Sequence, residues 1–310
     1  MLETAGYVMP TADLALANET TPPGNSLWTL QKVRENGDIS PLLKWINASR
    51  SKAPDKKLLL SSECLMQPEW PTLFQEIAAH TDIQLIYYVR RQDELLLSAW
   101  RQWGLKRGLS LDNFLARRLK SQQPNFLEIV NAWIEKTAIK NPHVRFIQAP
   151  FLTGKGVIED FSTLLGLETE NLVQVDNQNI SVDARLALFL NKHADLFSSV
   201  HDEEIFTLLR AQGTTEPEVR LQFNTSQFDR IQEVFEPLNQ ALLKAHQPEH
   251  EGTPVIDGQS ARLGDIGETS NHAQQLAFIT ERLNAATNPR HPKLLQLQQI
   301  LEQDYGVDNA

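Results

Sequence analysis

The chain holds one cysteine, Cys64, among its 310 residues. A single thiol excludes an intrachain disulfide and any zinc site built from several thiolates. Long apolar runs are missing too: nothing approaches the roughly 18 consecutive residues that a membrane-spanning helix needs. The first residues, Met1-Leu2-Glu3-Thr4-Ala5-Gly6, have neither the cationic segment nor the apolar stretch of a signal peptide. These features predict a cytoplasmic protein without a membrane span. Positive charge is scarce, with 29 Lys and Arg against 39 Asp and Glu and a net charge of −10. That balance argues against nucleic acid or an anionic membrane as a general partner.

What is present is ordinary for a globular protein. Hydrophobic residues make up 41% and charged residues 22% of the chain, which leaves little room for overall disorder or a fibrous repeat. The scarce positive charge is unevenly spread. Between residues 90 and 120 stand Arg90, Arg91, Arg101, Lys106, Arg107, Arg117, Arg118 and Lys120, against only Asp93, Glu94 and Asp112. This +5 island in an acidic chain suggests a local anionic ligand; the alternative is a solvated helix face.

The early residues read as loops and short helices. A turn cluster at Pro22-Pro23-Gly24-Asn25 precedes an amphipathic helix around Pro41–Ile46. Lys57-Leu58-Leu59-Leu60-Ser61-Ser62 predicts a strand buried on both faces, and residues 69–80 a helix. Ile83–Val89 then predicts a second strand, so that the two strands and the helix form one βαβ unit. Further helices are expected near 92–107, 112–120, 125–138 and 157–165, with a strand at Val144–Ile147. Ser181 is expected to cap a helix running to Phe197, and Ser226 another running to His246. From Glu251 to Glu268 the chain carries four glycines and few large apolar residues. The expected division is therefore a domain over 1–246, a flexible linker over 247–268 and a helical tail over 269–310. Leu276-Ala277-Phe278-Ile279 and Leu294-Leu295-Gln296-Leu297 in that tail could meet a protein partner.

The second strand runs into Tyr88-Val89-Arg90-Arg91-Gln92-Asp93-Glu94-Leu95-Leu96-Leu97-Ser98. Arg90 is expected at the carboxyl end of a central strand, where open α/β sheets bind ligands. Ser98 comes eight residues later, about two turns into the next helix. A guanidinium fork and a directed hydroxyl in that arrangement can converge on one tetrahedral anion.

At this point the chain resembles the nucleotide-dependent sulfotransferases, in particular the bacterial carbohydrate-type members. The resemblance rests on the Arg-x7-Ser spacing of Arg90 and Ser98, on Leu59-Leu60-Ser61-Ser62-Glu63, and on Val144–Phe151 with Asp160-Phe161 and Leu164-Leu165-Gly166-Leu167. Asn179-Ile180-Ser181 and Phe235-Glu236-Pro237-Leu238-Asn239 extend it over roughly residues 5–246. It implies an α/β fold with a P-loop-NTPase-like parallel sheet flanked by helices, helix-rich and followed here by a C-terminal helical appendage. It also implies 3′-phosphoadenosine-5′-phosphosulfate (PAPS) as the sulfuryl donor and a hydroxyl of a carbohydrate or small metabolite as acceptor, with no metal. Arg90 and Ser98 would hold the donor's 3′-phosphate. Glu63, expected to face the same cleft, would be the general base; the plainer reading is a helix-start acid or an ion-pair partner.

One part of the family pattern is not found. The family opens with a strand and a P-loop-like Lys-Thr-Gly turn that grips the 5′-phosphosulfate, and no such turn is present. Thr153-Gly154-Lys155-Gly156 looks similar but comes after the wrong strand and reads better as a surface turn. The chain is thus expected to begin about one βα unit late, with the middle strand of the sheet missing. Transfer would then be impaired, and a catalytically inactive relic that binds nucleotide or a protein partner is the competing expectation. Arg101, Lys106 and Arg107 could face the phosphosulfate or an anionic acceptor, or be simply exposed. Leu96, Trp100 and Trp103 form an apolar helical stripe, expected in the core.

Overall fold

The computed structural model describes residues 5–17, 24, 26–168, 182–209, 219–257, 272–286 and 288–306. In chain order the elements begin β1 (Tyr7–Val8), α1 (Leu27–Asn36), α2 (Ser40–Lys52), β2 (Lys57–Leu58), α3 (Trp70–Ala78) and β3 (Ile86–Val89). They continue with α4 (Gln92–Ala99), α5 (Leu111–Ser121), α6 (Phe126–Thr137), β4 (His143–Phe146) and α7 (Val157–Leu165). The rest is helical: α8 (Ala184–Lys192), α9 (Glu204–Leu209), α10 (Thr225–His246), α11 (His272–Asn284) and α12 (Pro292–Tyr305). The fold is of the α/β class, rich in helix and poor in strand. It divides into two compact units. One comprises Met1–Val89, Asn125–Asn171 and Ala241–Glu251, the other Arg90–Pro124, Leu172–Gln240 and Gly252–Ala310.

Among the described residues the strands all lie in the first unit, in two separate parallel pairs, β1–β2 and β3–β4. The expected βαβ unit over residues 57–89 is therefore not one sheet: β2 pairs backwards with β1, and β3 pairs forwards with β4. Nor is the strand at Lys57 long or buried. It spans two residues, Lys57 is exposed, and Leu58 to Leu60 are only half-buried, because the chain turns into a 3-10 helix at Glu63–Met66. Alternate residues of a parallel strand face its partner. Lys57 and Leu59 donate to the carbonyls of Gly6 and Val8, so Leu58 faces away from β1. The carbonyls of Leu85 and Val89 accept from His143 and Ile147, so Ile86 and Tyr88 face away from β4. Each pair thus keeps one edge outside the ladder.

Aromatic packing backs these strands. Within α3, Trp70 meets Phe74 edge to face at 5.8 Å between centroids, and Phe74 in turn meets Trp133 of α6 at 5.0 Å. Phe74 joins Trp70 and Ile77 on the buried face of α3. Asn125 caps α6 by accepting from the Glu128 amide at 3.1 Å. On the other face Asp160 of α7, fully buried, accepts from the Tyr88 hydroxyl and from the Thr153 amide, with Arg145 at 3.7 Å. Burial, and then this carboxylate, push the Tyr88 phenol well above its ordinary pKa.

The second unit is a helical assembly around one apolar cluster. Asp183 caps α8 by accepting from Arg185, and Asn224 exchanges side-chain bonds with Gln227 at the start of α10. The α10 cap is thus Asn224, not Ser226; the expected cap Ser181 lies outside the described residues. The segment expected as a separate tail supplies core residues. Phe278 of α11 lies between the guanidinium groups of Arg185 and Arg282, 3.8 and 4.8 Å from its ring centroid. Ile279, Leu294, Leu297 and Leu301 are buried with it. The apolar faces expected to meet a partner are covered mostly by the chain itself, although Leu295 remains 44% exposed. Among the described residues no helix is long and apolar enough to cross a membrane.

A nearly covered ion pair fastens α12 beside α9. The Asp202 carboxylate accepts from Lys293 and from the Ser198 and Glu204 amides at 2.9 and 3.1 Å. Burial opposes its charge, but these donors outweigh burial and hold its pKa well below the usual carboxylate range. A depressed folded-state pKa stabilises above the unfolded value near 3.9 and is lost as pH falls towards the folded one. Asp202→Asn should therefore cost about 2 kcal/mol at pH 7, because Lys293 loses its closest carboxylate and keeps only the half-exposed Glu204 carboxylate at 3.3 Å. Urea unfolding at pH 7 and pH 3 checks this: the difference between mutant and parent should shrink at the lower pH.

Candidate anion-binding site

Arg90 directly follows β3, and Arg91 is the N-cap residue of α4. The helical stretch expected over 92–107 forms, but not as one α-helix. It passes from α4 into a π-helical turn at Trp100–Gly104 and a 3-10 turn at Leu105–Arg107, ending at Gly108 in the left-handed region with φ 64°. The π turn has a steric basis. Trp100 is fully buried and donates its indole N–H to the Leu109 carbonyl at 2.7 Å. Gly104 lies against it, and a Cβ there would stand 2.7 Å from the Trp100 ring and 3.1 Å from Phe114. The widened turn also changes the facing of its own later residues. Leu96 and Trp100 are buried as expected, whereas Trp103 is 37% exposed.

Glu94 and Ser98 stand four residues apart on one face of α4. Arg90, just before the helix, joins that face through its ion pair with Glu94, and Arg101, three residues after Ser98 in the π turn, is near enough for the Arg90 charge to act on it. Arg90 Nε donates to Glu94 Oε2 at 2.8 Å, and both side chains are nearly half exposed. The half-buried Ser98 hydroxyl has no hydrogen-bond partner among the described residues. Arg101 is the unusual member. It is partly buried, and no carboxylate or carbonyl among the described residues accepts from its guanidinium. Burial first, and the Arg90 charge second, push its pKa down. The face therefore offers two guanidinium groups and a hydroxyl against one carboxylate, a donor set suited to an oxyanion.

The start of α4 is fastened by buried polar contacts. The Gln92 and Asn239 side-chain amides exchange two hydrogen bonds of 2.8 and 2.9 Å, and both side chains are essentially fully buried. Arg91 donates to Asp93 at 2.7 Å, and to the carboxylate and carbonyl of Asp257 at 2.6 and 2.9 Å. Burial works against the Arg91 charge, but its carboxylate partners outweigh it and raise the guanidinium pKa. Residues 252–257, read from sequence as part of a flexible linker, are bound along α10. Gln240 bonds the Thr253 carbonyl and the Gly252 amide, Glu236 accepts from Val255 and Ile256, and Gln232 donates to Ile256. These three side chains recur every four residues, so they share one face of α10. The partners of α4 are separated from it by 147 and 166 residues, which is why local pattern did not reveal them.

The other expected site residues fall elsewhere. Lys106 is buried and bonded to Glu203 and to the Val200 carbonyl, so it supports the core. Arg107 is exposed. Glu63 belongs to the first unit, exposed at the start of the 3-10 helix, with no ion pair among the described residues. The Thr153–Gly156 turn, expected as a surface turn, has two of its four amides in use: Thr153 donates to Asp160 at 2.7 Å and Lys155 to Glu159 at 2.8 Å. A phosphate there would have to displace two carboxylates. Cys64 is buried, and burial raises its thiol pKa. Compared with known proteins, the chain matches no family model, no curated protein and no solved structure.

The Gln92–Asn239 pair yields a direct test. Asn239→Ala leaves the Gln92 amide buried without partners and should cost about 1–3 kcal/mol. Adding Gln92→Ala should cost less than the sum of the two single changes, by about 1 kcal/mol. Urea midpoints of the four proteins in the cycle measure it.

Proposed function

We propose that the face formed by Arg90 and Ser98 binds the 3′-phosphate of an adenine nucleotide, in a sulfotransferase-like domain that uses PAPS. The observation that carries this reading is the Ser98 hydroxyl, without a hydrogen-bond partner among the described residues, one turn along α4 from Glu94, which holds the Arg90 guanidinium. A second feature supports the P-loop-NTPase-like sheet the resemblance implies. Two parallel pairs, with β2 and β3 each keeping an edge outside the ladder, are what a parallel sheet without its middle strand would leave. In the full reading the protein transfers a sulfuryl group from PAPS to a hydroxyl of a carbohydrate or small metabolite. Exposed Glu63 would then take the acceptor's proton.

The donor set fits one end of PAPS better than the other. Arg90 and Ser98 suit the 3′-phosphate, whereas the one turn that resembles a phosphate cradle has its Thr153 and Lys155 amides taken by Asp160 and Glu159. That occupied turn favours a second reading: a sulfotransferase relic that binds nucleotide without transferring the group.

Calorimetric titration with adenosine 3′,5′-bisphosphate tests the binding site. Arg90→Ala should weaken binding roughly tenfold to a hundredfold, the worth of a charge-assisted bidentate contact, and Ser98→Ala roughly threefold to tenfold. Unchanged affinity in Arg90→Ala would remove the nucleotide site from the reading. Incubation with PAPS and a panel of sugar hydroxyls separates the two readings. A transferase releases adenosine 3′,5′-bisphosphate faster than buffer does, and slows on Glu63→Gln; the relic binds and releases nothing extra.

A further inference from the structure

We propose that this site selects a phosphate monoester in its dianionic state, with Arg101 as its second cation and Glu94 as an internal counter-ion that the ligand displaces from Arg90. The proposal rests on the reading of Arg90 and Ser98 as phosphate ligands and adds the charge state of what they bind.

Counter-ions make the argument. The other well-covered cations of the second unit are each provided for. Arg91 has Asp93 and Asp257, Lys106 has Glu203, Arg185 has Asp183 and Lys293 has Asp202. Arg118, which also loses solvent, stacks over the Phe114 ring at 5.1 Å. Arg101 has neither carboxylate nor ring among the described residues, and the nearby charge it feels is that of Arg90. A partly desolvated cation beside a like charge is a standing cost in the empty protein. A ligand that supplies the missing negative charge removes it.

The same residues set the amount of charge. With Glu94 bonded to Arg90, the face carries a net +1. The pair is exposed and spans i to i+4, so it is weak and readily exchanged. Once Glu94 swings into water, Arg90 and Arg101 together present +2. A dianion matches both, whereas a diester or sulfate ester, each a monoanion, leaves one guanidinium uncompensated. Phosphate monoesters acquire their second charge near pH 6.

The experiment uses the full chain and two nucleotides of nearly equal shape, adenosine 3′-monophosphate and adenosine 2′,3′-cyclic monophosphate, titrated calorimetrically at pH 7.5. The open monoester should bind about tenfold tighter than the cyclic diester, and that advantage should collapse at pH 5, where the monoester is largely a monoanion. Arg101→Gln should bring the ratio close to one, Arg101→Lys should keep most of it, and Glu94→Gln should tighten the monoester about two- to fivefold. Arg101→Gln should also raise the melting temperature of the unliganded protein, since it deletes a partly desolvated charge that has no carboxylate partner among the described residues. A ratio near one in the parent, a ratio that Arg101→Gln leaves intact, or a lowered melting temperature in that variant overturns the proposal. If Arg90→Ala still abolishes binding of both nucleotides in that case, the nucleotide site stands and only its charge selectivity falls. If neither nucleotide binds the parent, or Arg90→Ala changes nothing, the site reading itself fails.

Discussion

Arg91, Gln92 and Asp93 open α4 with three consecutive polar side chains that are all nearly removed from water, at 5%, 1% and 6% exposure. Unmet, each would cost of the order of 1–3 kcal/mol or more. They are met by groups that come from far along the chain: the Asn239 amide, and the carboxylate and carbonyl of Asp257. Such contacts are directional, and the reciprocal Gln92–Asn239 pair tolerates little rotation of α4 about its axis. Fixing that rotation fixes which side chains remain outside. Glu94 and Ser98 are thereby turned away from the buried contacts, with Arg90 held beside Glu94, so the placing of the candidate site follows from how the helix start is anchored.

The same anchoring explains why residues from Gly252 onward are part of the second unit. Gln232, Glu236 and Gln240 lie in one row on α10, and their polar ends satisfy the backbone of residues 252–256. Asp257 then reaches Arg91. Further along the chain, α11 and α12 return apolar side chains to the common cluster, with Phe278 clasped between two guanidinium groups. Composition alone suggested a linker and a tail, since glycine and scarce large residues usually mean freedom. What composition does not register is a glutamate whose two oxygens fit two successive amides, as Glu236 fits Val255 and Ile256.

Elements whose cause is local were legible in sequence. The helices α5, α6 and α7 and the strands β3 and β4 lie within a few residues of expectation, because their apolar periods and caps are written in consecutive residues. Pairing was not legible. Nothing near Lys57 says that its strand would be two residues long and pair with β1. The π turn at Trp100–Gly104 was equally hidden, since it depends on Gly104 meeting the Trp100 and Phe114 rings. For the site, sequence supplied Arg90 and Ser98 through their spacing, and it treated Arg101, Lys106 and Arg107 alike. Only side-chain environments separate them, Lys106 held by Glu203 and Arg101 held by nothing acidic among the described residues.

That separation bears on how an anion could be recognised at all. Backbone amides and side-chain cations are the two means a protein has of gripping phosphate, and they differ in consequence. Amides in a turn are fixed and carry no net charge, so they discriminate by shape; the turn at Thr153–Gly156 has surrendered two of its amides to Glu159 and Asp160. The face on α4 and the π turn has side chains instead, and half-exposed ones at Arg90 and Glu94. Recognition through such groups depends on charge more than on shape, and it is screened by salt over roughly 10 Å at 0.1 M. A partly covered Arg101 tempers that, because a cation withdrawn from water is screened less than one in it. On the proposed reading, such a site would sense how much negative charge a ligand brings, and Glu94 would set the threshold, since any ligand must attract Arg90 more strongly than a carboxylate four residues away.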